Sequence, residues 1–221
     1  MEESNLIKDV LEYIYLLSAP ILVYFAYKGL GQIKEAKKNH ETIKDISKIQ
    51  SLRDSYKISG EQCKFFADTI IPTYSKFREE LKENNCTFFE KFEVDIENKN
   101  VITKIKDGEK ITDEDIESLK KLTTLTELLN FLESFSMYFA SGVASEKAGY
   151  ITAGRGYCEL VEPLMPFLLI RIKKGYYKNI GIIFTTWKNK CAQDDIKKKQ
   201  KELEKEFNKT TSMSINEIGN K

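Results

Sequence analysis

The sequence predicts an all-α protein in which a single N-terminal transmembrane helix precedes a cytosolic helical bundle. Three observations carry that expectation. Nothing between Tyr13 and Tyr27 is charged, no Pro or Gly interrupts the chain from Gln32 to Ser59, and apolar residues beyond Gly60 recur mostly at three- and four-residue spacing.

A spanning helix needs roughly 20 mostly apolar residues, at about 1.5 Å each, to cross a hydrocarbon core of about 30 Å. Leu11 to Leu30 meets that requirement with help from its flanks. Glu12 and Lys28 can snorkel toward headgroups, and Tyr13, Tyr15, Tyr24 and Tyr27 sit near the two ends, where amphipathic rings prefer the interface. A signal peptide would open on basic residues, whereas this chain opens Met-Glu-Glu-Ser-Asn and carries Pro20 mid-segment. A buried helix of a modest core would show an apolar stripe, whereas this segment is apolar all round. The near side offers Lys8 among Glu2, Glu3 and Asp9, and the far side offers Lys28, Lys34, Lys37 and Lys38, so the positive-inside bias predicts an outward N-terminus and a cytoplasmic body. Tyr15, Ala19, Leu22, Ala26 and Gly29 share one face, whose small residues let helices approach closely. If copies closed around a pore, Ser18 and the tyrosine hydroxyls would line it. These six are the predicted packing or pore-lining residues, and their expected partners are the lipid bilayer and further copies of the chain.

The expected organisation is an anchor over 1–31, a helical stalk over 32–60, a cytosolic helical domain over 61–207 and a disordered tail over 208–221. Along the stalk, Ile33, Ala36, His40 and Ile43 alternate three and four apart, then the row drifts to Ile46, Ile49, Leu52 and Tyr56 without a strict heptad. A short seam against sister helices fits this pattern. The next helix is expected over 61–83, with Phe65, Phe66, Ile70, Tyr74, Phe77 and Leu81 facing inward and Pro72 as a kink. Residues 86–111 form an irregular insertion. Val94 and Ile96 alternate with Asp95 and Glu97 as in a hairpin, but a helix and loop fit nearly as well.

Thr112 followed by Asp115 gives a capping-box-like start, and Ile116, Leu119, Leu122, Leu125, Leu129, Leu132, Phe135 and Phe139 continue as the apolar face of a core helix that Gly142 stops. A further helix over 145–173 is expected to break near Gly154-Arg155-Gly156 and again near Pro163 and Pro166. The last strong helix begins near Tyr176 and shows Ile180, Ile183, Phe184, Trp187 and Cys191 on one face. Leu164–Ile170 and Ile180–Trp187 are too short to span a bilayer and read as buried helices. Mixed charges over Lys197–Phe207 read as a solvated helix end.

The function classes narrow mostly by exclusion. A net charge of +1 from 35 basic and 34 acidic residues gives no global field for nucleic acid. His40 is the one histidine, which leaves no material for His-based triads or His-rich metal sites, and no phosphate-cradling Gly-rich loop is present. Cys63, Cys86, Cys158 and Cys191 are far apart in sequence and read as free thiols. No catalytic, cofactor-binding or metal-ligating residue is predicted. Glu133, Glu146, Glu159 and Glu162 are the carboxylates an enzyme would have to use, and their spacing singles out no pair. Arg155, between two glycines, is a possible anion or partner contact, or else pairs with a core acid such as Glu133 or Glu159. Arg171, Lys173 and Lys174 combine a dipole-compatible helix end with a possible anion or partner contact.

One acidic-start anchor, a Lys/Glu-rich stalk, and an all-helical domain containing Leu128-Leu-Asn-Phe-Leu-Glu-Ser-Phe135 and Tyr176-Tyr-Lys-Asn-Ile-Gly-Ile-Ile-Phe-Thr-Thr-Trp187 resemble bacterial membrane-anchored helical proteins found among antiviral genes. The chain also resembles the membrane-pore accessory proteins of RNA-targeting type VI CRISPR systems. That resemblance implies a homo-oligomer in the bacterial inner membrane, acting with a Cas13-type nuclease or its RNA-triggered signal. The HEPN-like Arg/His pair sometimes attributed to such proteins is missing, so no RNase site is implied. The expected function is that of a non-enzymatic effector that self-associates and permeabilises or depolarises the membrane. The alternative is a membrane-tethered scaffold or sensor that recruits a partner without making a pore.

Overall fold

The structure, a computed structural model, describes the backbone of residues 2–97 and 100–218 and the side chains of residues 20, 24, 27–97 and 100–208. It is mostly helical, as expected, with helices α1 (Glu2–Phe65), α2 (Ile71–Glu83), α3 (Asp113–Lys120), α4 (Thr124–Ala140), α5 (Glu146–Val161), α6 (Met165–Lys173) and α7 (Lys178–Ile218) and strands β1 (Phe92–Glu97) and β2 (Asn100–Ile105). The chain divides into two compact units, Met1–Arg53 and Asp54–Lys221. Among the described residues no helix is long and apolar enough to cross a membrane. The side chains of the predicted anchor lie largely outside the described residues, as do most of those of the predicted tail.

Unit 1 is the first part of α1. The helix does not stop at Gly60, where a new helix was expected to follow, because one glycine inside a helix costs only about 0.5–1 kcal/mol. One local and one tertiary contact flank it: the Ser59 hydroxyl donates to the carbonyl of Ser55 at 2.8 Å and lies 3.1 Å from that of Ser145. The interruption comes later, as a π-helical segment over Phe66–Ile70, and Pro72 stands in the first turn of α2. Proline has no N–H, and its ring crowds the carbonyl four residues earlier, here Asp68 inside the widened turn.

The insertion is a hairpin. Phe92 pairs with Ile105, Val94 with Thr103 and Ile96 with Val101 in an antiparallel register. Phe92, Val94 and Ile96 are half-buried while Glu93, Asp95 and Glu97 are exposed, as a strand with one covered face requires. Before β1, a 3-10 turn over Phe88–Lys91 buries Phe88 and Phe89.

The single helix expected from Thr112 to Gly142 is two helices, α3 and α4. The start is a full capping box, in which Asp115 accepts from the Thr112 N–H at 2.7 Å and the Thr112 hydroxyl accepts from the Asp115 N–H at 3.3 Å. The break follows from a tertiary cap that no local pattern encodes: the Glu80 carboxylate on α2 accepts the Thr123 N–H at 2.7 Å and the Thr124 N–H at 3.0 Å, so α4 starts afresh there. Past α4 the chain turns through Gly142 at φ +74, the left-handed region that favours glycine.

α5 also departs from expectation, since it runs unbroken through Gly154-Arg155-Gly156. Gly154 leaves room for the Tyr150 ring one turn earlier on the same helix, and nearby Gly149 leaves room for the Phe139 ring of α4, whereas a Cβ on Gly156 would meet Phe66 at an ordinary 4.0 Å. The predicted break at Pro163 is present as a short 3-10 turn, Glu162–Leu164, ahead of α6. The core lies where α4, α5 and α7 meet the π-segment. Leu128, Leu132, Phe135, Tyr157, Ile180, Phe184 and Trp187 have no measurable exposure; the predicted faces are buried from Leu125 to Phe139 on α4 and from Ile180 to Cys191 on α7, whereas Ile116 on α3, expected on the same apolar face, is exposed.

Candidate functional site

Unit 2 carries a groove with two lobes. The larger lobe, about 980 Å³, lies between α2 and the hairpin, and the smaller, about 380 Å³, lies between β1 and α7; Val94, Glu159 and Glu162 line both. Phe77 and Leu81 come from α2, Phe89 from the 3-10 turn, Phe92 and Val94 from β1, and Leu164 from the turn that Pro163 stiffens. These give the larger lobe an apolar interior. Arg78 and Lys82, one helical turn apart on α2, and Lys106, just past β2, stand at its margin and are exposed.

The carboxylates singled out by sequence separate by role. Glu133 caps α7, accepting the Ile180 N–H at 3.0 Å and the Asn179 side-chain amide at 2.8 Å. Glu146 accepts from the Trp187 indole N–H and pairs with Lys190. Glu162 pairs with Lys188 at 2.7 Å. Glu159 alone of the four faces the groove without an ion pair among the described residues.

Arg155 does not pair with Glu133 or Glu159. It pairs with Asp195 on α7 at 2.6 Å, with both side chains about half exposed, so solvent screens the pair. Its guanidinium is therefore engaged rather than open to an added anion. Arg171 lies over the Phe167 ring at 5.0 Å, and Lys173 and Lys174 sit exposed in and just past the last turn of α6, the dipole-compatible placement. None of these four cations lies beside the larger lobe. Of the predicted transmembrane face, the side chains of Tyr15, Ser18, Ala19, Leu22 and Ala26 lie outside the described residues. Gly29 is described, and a Cβ there would meet nothing within 4 Å.

Two constellations escaped the sequence reading. Cys158 and Cys191, 33 positions apart by their numbers, meet across α5 and α7 beside the smaller lobe. Burial pushes the Cys158 thiol up to about 12, and its hydrogen bond with Cys191 adds to the shift, so it is a protonated, inert packing group at neutral pH. Tyr150 joins them, lying 3.7 Å from the Cys191 sulfur and donating to Asp194 at 2.6 Å; burial first and these partners next raise its pKa. The second is the trio Arg78, Lys82 and Lys106. The i, i+4 spacing of the first two beside Phe77 and Leu81 was a usable signal, whereas Lys106 joins only through the hairpin.

The stalk offers a different surface. Ile33, Ile43, Ile46 and Ile49 are 66%, 64%, 50% and 66% exposed. A long helix with no core of its own gains little from propensity in water, and packing of an apolar face supplies most helical stability.

No protein-family model, curated protein or solved structure matches the chain.

Proposed function

We propose that this chain is a non-enzymatic, membrane-tethered effector that self-associates through its stalk and changes the permeability of the bilayer that holds it. The observation that carries the reading is the exposed isoleucine row along α1, which a packed sister helix would bury. The row drifts around the helix, so sister helices would have to wrap to follow it. The uncharged segment Tyr13–Tyr27 supports the tether, and the mixed Lys/Glu composition around the isoleucines supports a solvated bundle of modest affinity. The non-enzymatic reading is supported by the carboxylates, since Glu133, Glu146 and Glu162 are each committed to a helix cap or an ion pair. The architectural resemblance to CRISPR-linked pore accessories supports a bacterial inner-membrane setting, an antiviral role and a Cas13-type nuclease as the source of the trigger. The groove favours a second reading, in which the helical domain senses a ligand or recruits a partner and no pore forms.

Membrane potential, followed with a voltage-sensitive dye in cells carrying the nuclease and its trigger, separates these. The full chain should depolarise the cells, while a chain lacking residues 1–31 and the stalk variant Ile43→Glu/Ile46→Glu should not. Equal traces from all three would remove the membrane mechanism.

A further inference from the structure

We propose that the larger lobe of the groove is a binding site for a small amphipathic anion, a medium-chain acyl carboxylate, with its tail among the aromatic rings and its head at α2. Its volume of about 980 Å³ lies at the upper end of the roughly 300–1,000 Å³ typical of small-molecule pockets. The lining supplies an apolar tail site: Phe77 and Phe89 are buried, Phe92, Leu81 and Val94 are half-buried beside them, and Pro163 and Pro166 stiffen the far wall.

The charge pattern selects the head. Arg78, Lys82 and Lys106 line the lobe and are exposed, and none of them makes an ion pair among the described residues. Their neighbour Lys91 shows the contrast, being held by Asp115 at 2.7 Å and the Lys110 carbonyl at 3.0 Å. An arginine and two lysines at the edge of an apolar cavity suit a carboxylate, which the planar guanidinium can grip with two parallel bonds. Glu90 and Glu159 also line the lobe, and Glu162 does so while paired to Lys188. Those carboxylates disfavour a second negative group and so favour a singly charged head. The inference does not rest on the membrane reading, since the lobe is built wholly from residues of unit 2.

Calorimetric titration of the full chain in phospholipid nanodiscs, with empty discs as the blank, tests the site with decanoate, decanol and decylammonium. Decanoate should bind saturably at one site per chain, and decanol and decylammonium at least about tenfold more weakly. The surface variant Arg78→Ala/Lys82→Ala should weaken decanoate by roughly 10- to 100-fold, the range expected for lost charge-assisted bonds, and leave decanol unchanged. Val94→Trp, which places an indole in the tail site, should weaken both, with an unchanged far-ultraviolet dichroism spectrum showing that the fold survives. Equal affinity for the three heads, no saturable decanoate binding above the blank, or undiminished binding by a folded Val94→Trp chain would each overturn the proposal.

Discussion

Replacing Trp187 by alanine should destabilise the helical domain by about 3–5 kcal/mol, the usual range for truncating a large buried aromatic. Trp187 is the chain's one tryptophan and has no measurable exposure. Its ring meets Tyr157 at 5.1 Å, Phe139 at 5.4 Å and Phe135 at 6.1 Å between centroids, which ties α7 to α4 and α5 in one cluster. Truncation would open a cavity there and also remove the indole N–H that Glu146 accepts, leaving that carboxylate with Lys190 as its remaining partner. Urea unfolding followed by circular dichroism measures the loss. Trp187→Phe keeps most of the ring volume and should lose clearly less than the alanine variant. A loss below about 1 kcal/mol for alanine would mean that the aromatic cluster does not organise the domain.

Glu80→Ala should cost about 1–3 kcal/mol at neutral pH, through the loss of a charged cap on α4. Thr123 and Thr124 each direct a backbone N–H and a hydroxyl at this carboxylate. Burial alone would raise the pKa of Glu80, but those four donors outweigh it and hold the group down at about 2, against 4.5 for an ordinary glutamate. A depressed pKa fixes the sign of the pH effect. The stabilisation is fully present above about 4.5 and disappears as the pH falls toward about 2. The difference in unfolding free energy between wild type and Glu80→Ala should therefore shrink across that window. Asp115, also held at about 2 by the Lys91 ammonium and the Thr112 N–H, contributes equally to both proteins and drops out of the difference. A difference that stayed constant from neutral pH down to about 2 would show that the threonines do not favour the ionised form.

What could be read from the sequence divides along physical lines. Periodicity over ten or more residues found the buried faces of α4 and α7, because burial on one side of a helix leaves a mark every three or four positions. The capping box at Thr112 was legible because all its atoms lie within four residues. Features set by distant partners were not legible. The break between α3 and α4 depends on Glu80, 43 positions before Thr123. The unbroken course of α5 through Gly154 and Gly156 was hidden because Gly149 makes room for Phe139 of α4 and Gly154 for Tyr150 within α5, where composition alone suggests a breaker. At the groove, Arg78 and Lys82 could be paired by spacing, but their apolar neighbours Phe89, Phe92 and Val94 are brought by the 3-10 turn and a hairpin that the alternation of Val94 and Ile96 only half revealed. Arg155 was read as an anion contact or as the partner of Glu133 or Glu159, and its actual partner Asp195 was not legible because it lies 40 positions away on α7.

Self-association through the stalk is the central step of the proposed function. The direct measurement is the protein mass of the full chain in mild detergent, determined by light scattering with the detergent contribution subtracted, for wild type and for Ile43→Glu/Ile46→Glu. The predicted result is an integral multiple of the 25.6 kDa chain mass for wild type and a return to 25.6 kDa for the variant. A wild-type chain that is strictly monomeric, or an oligomer that the two glutamates leave intact, would contradict the account.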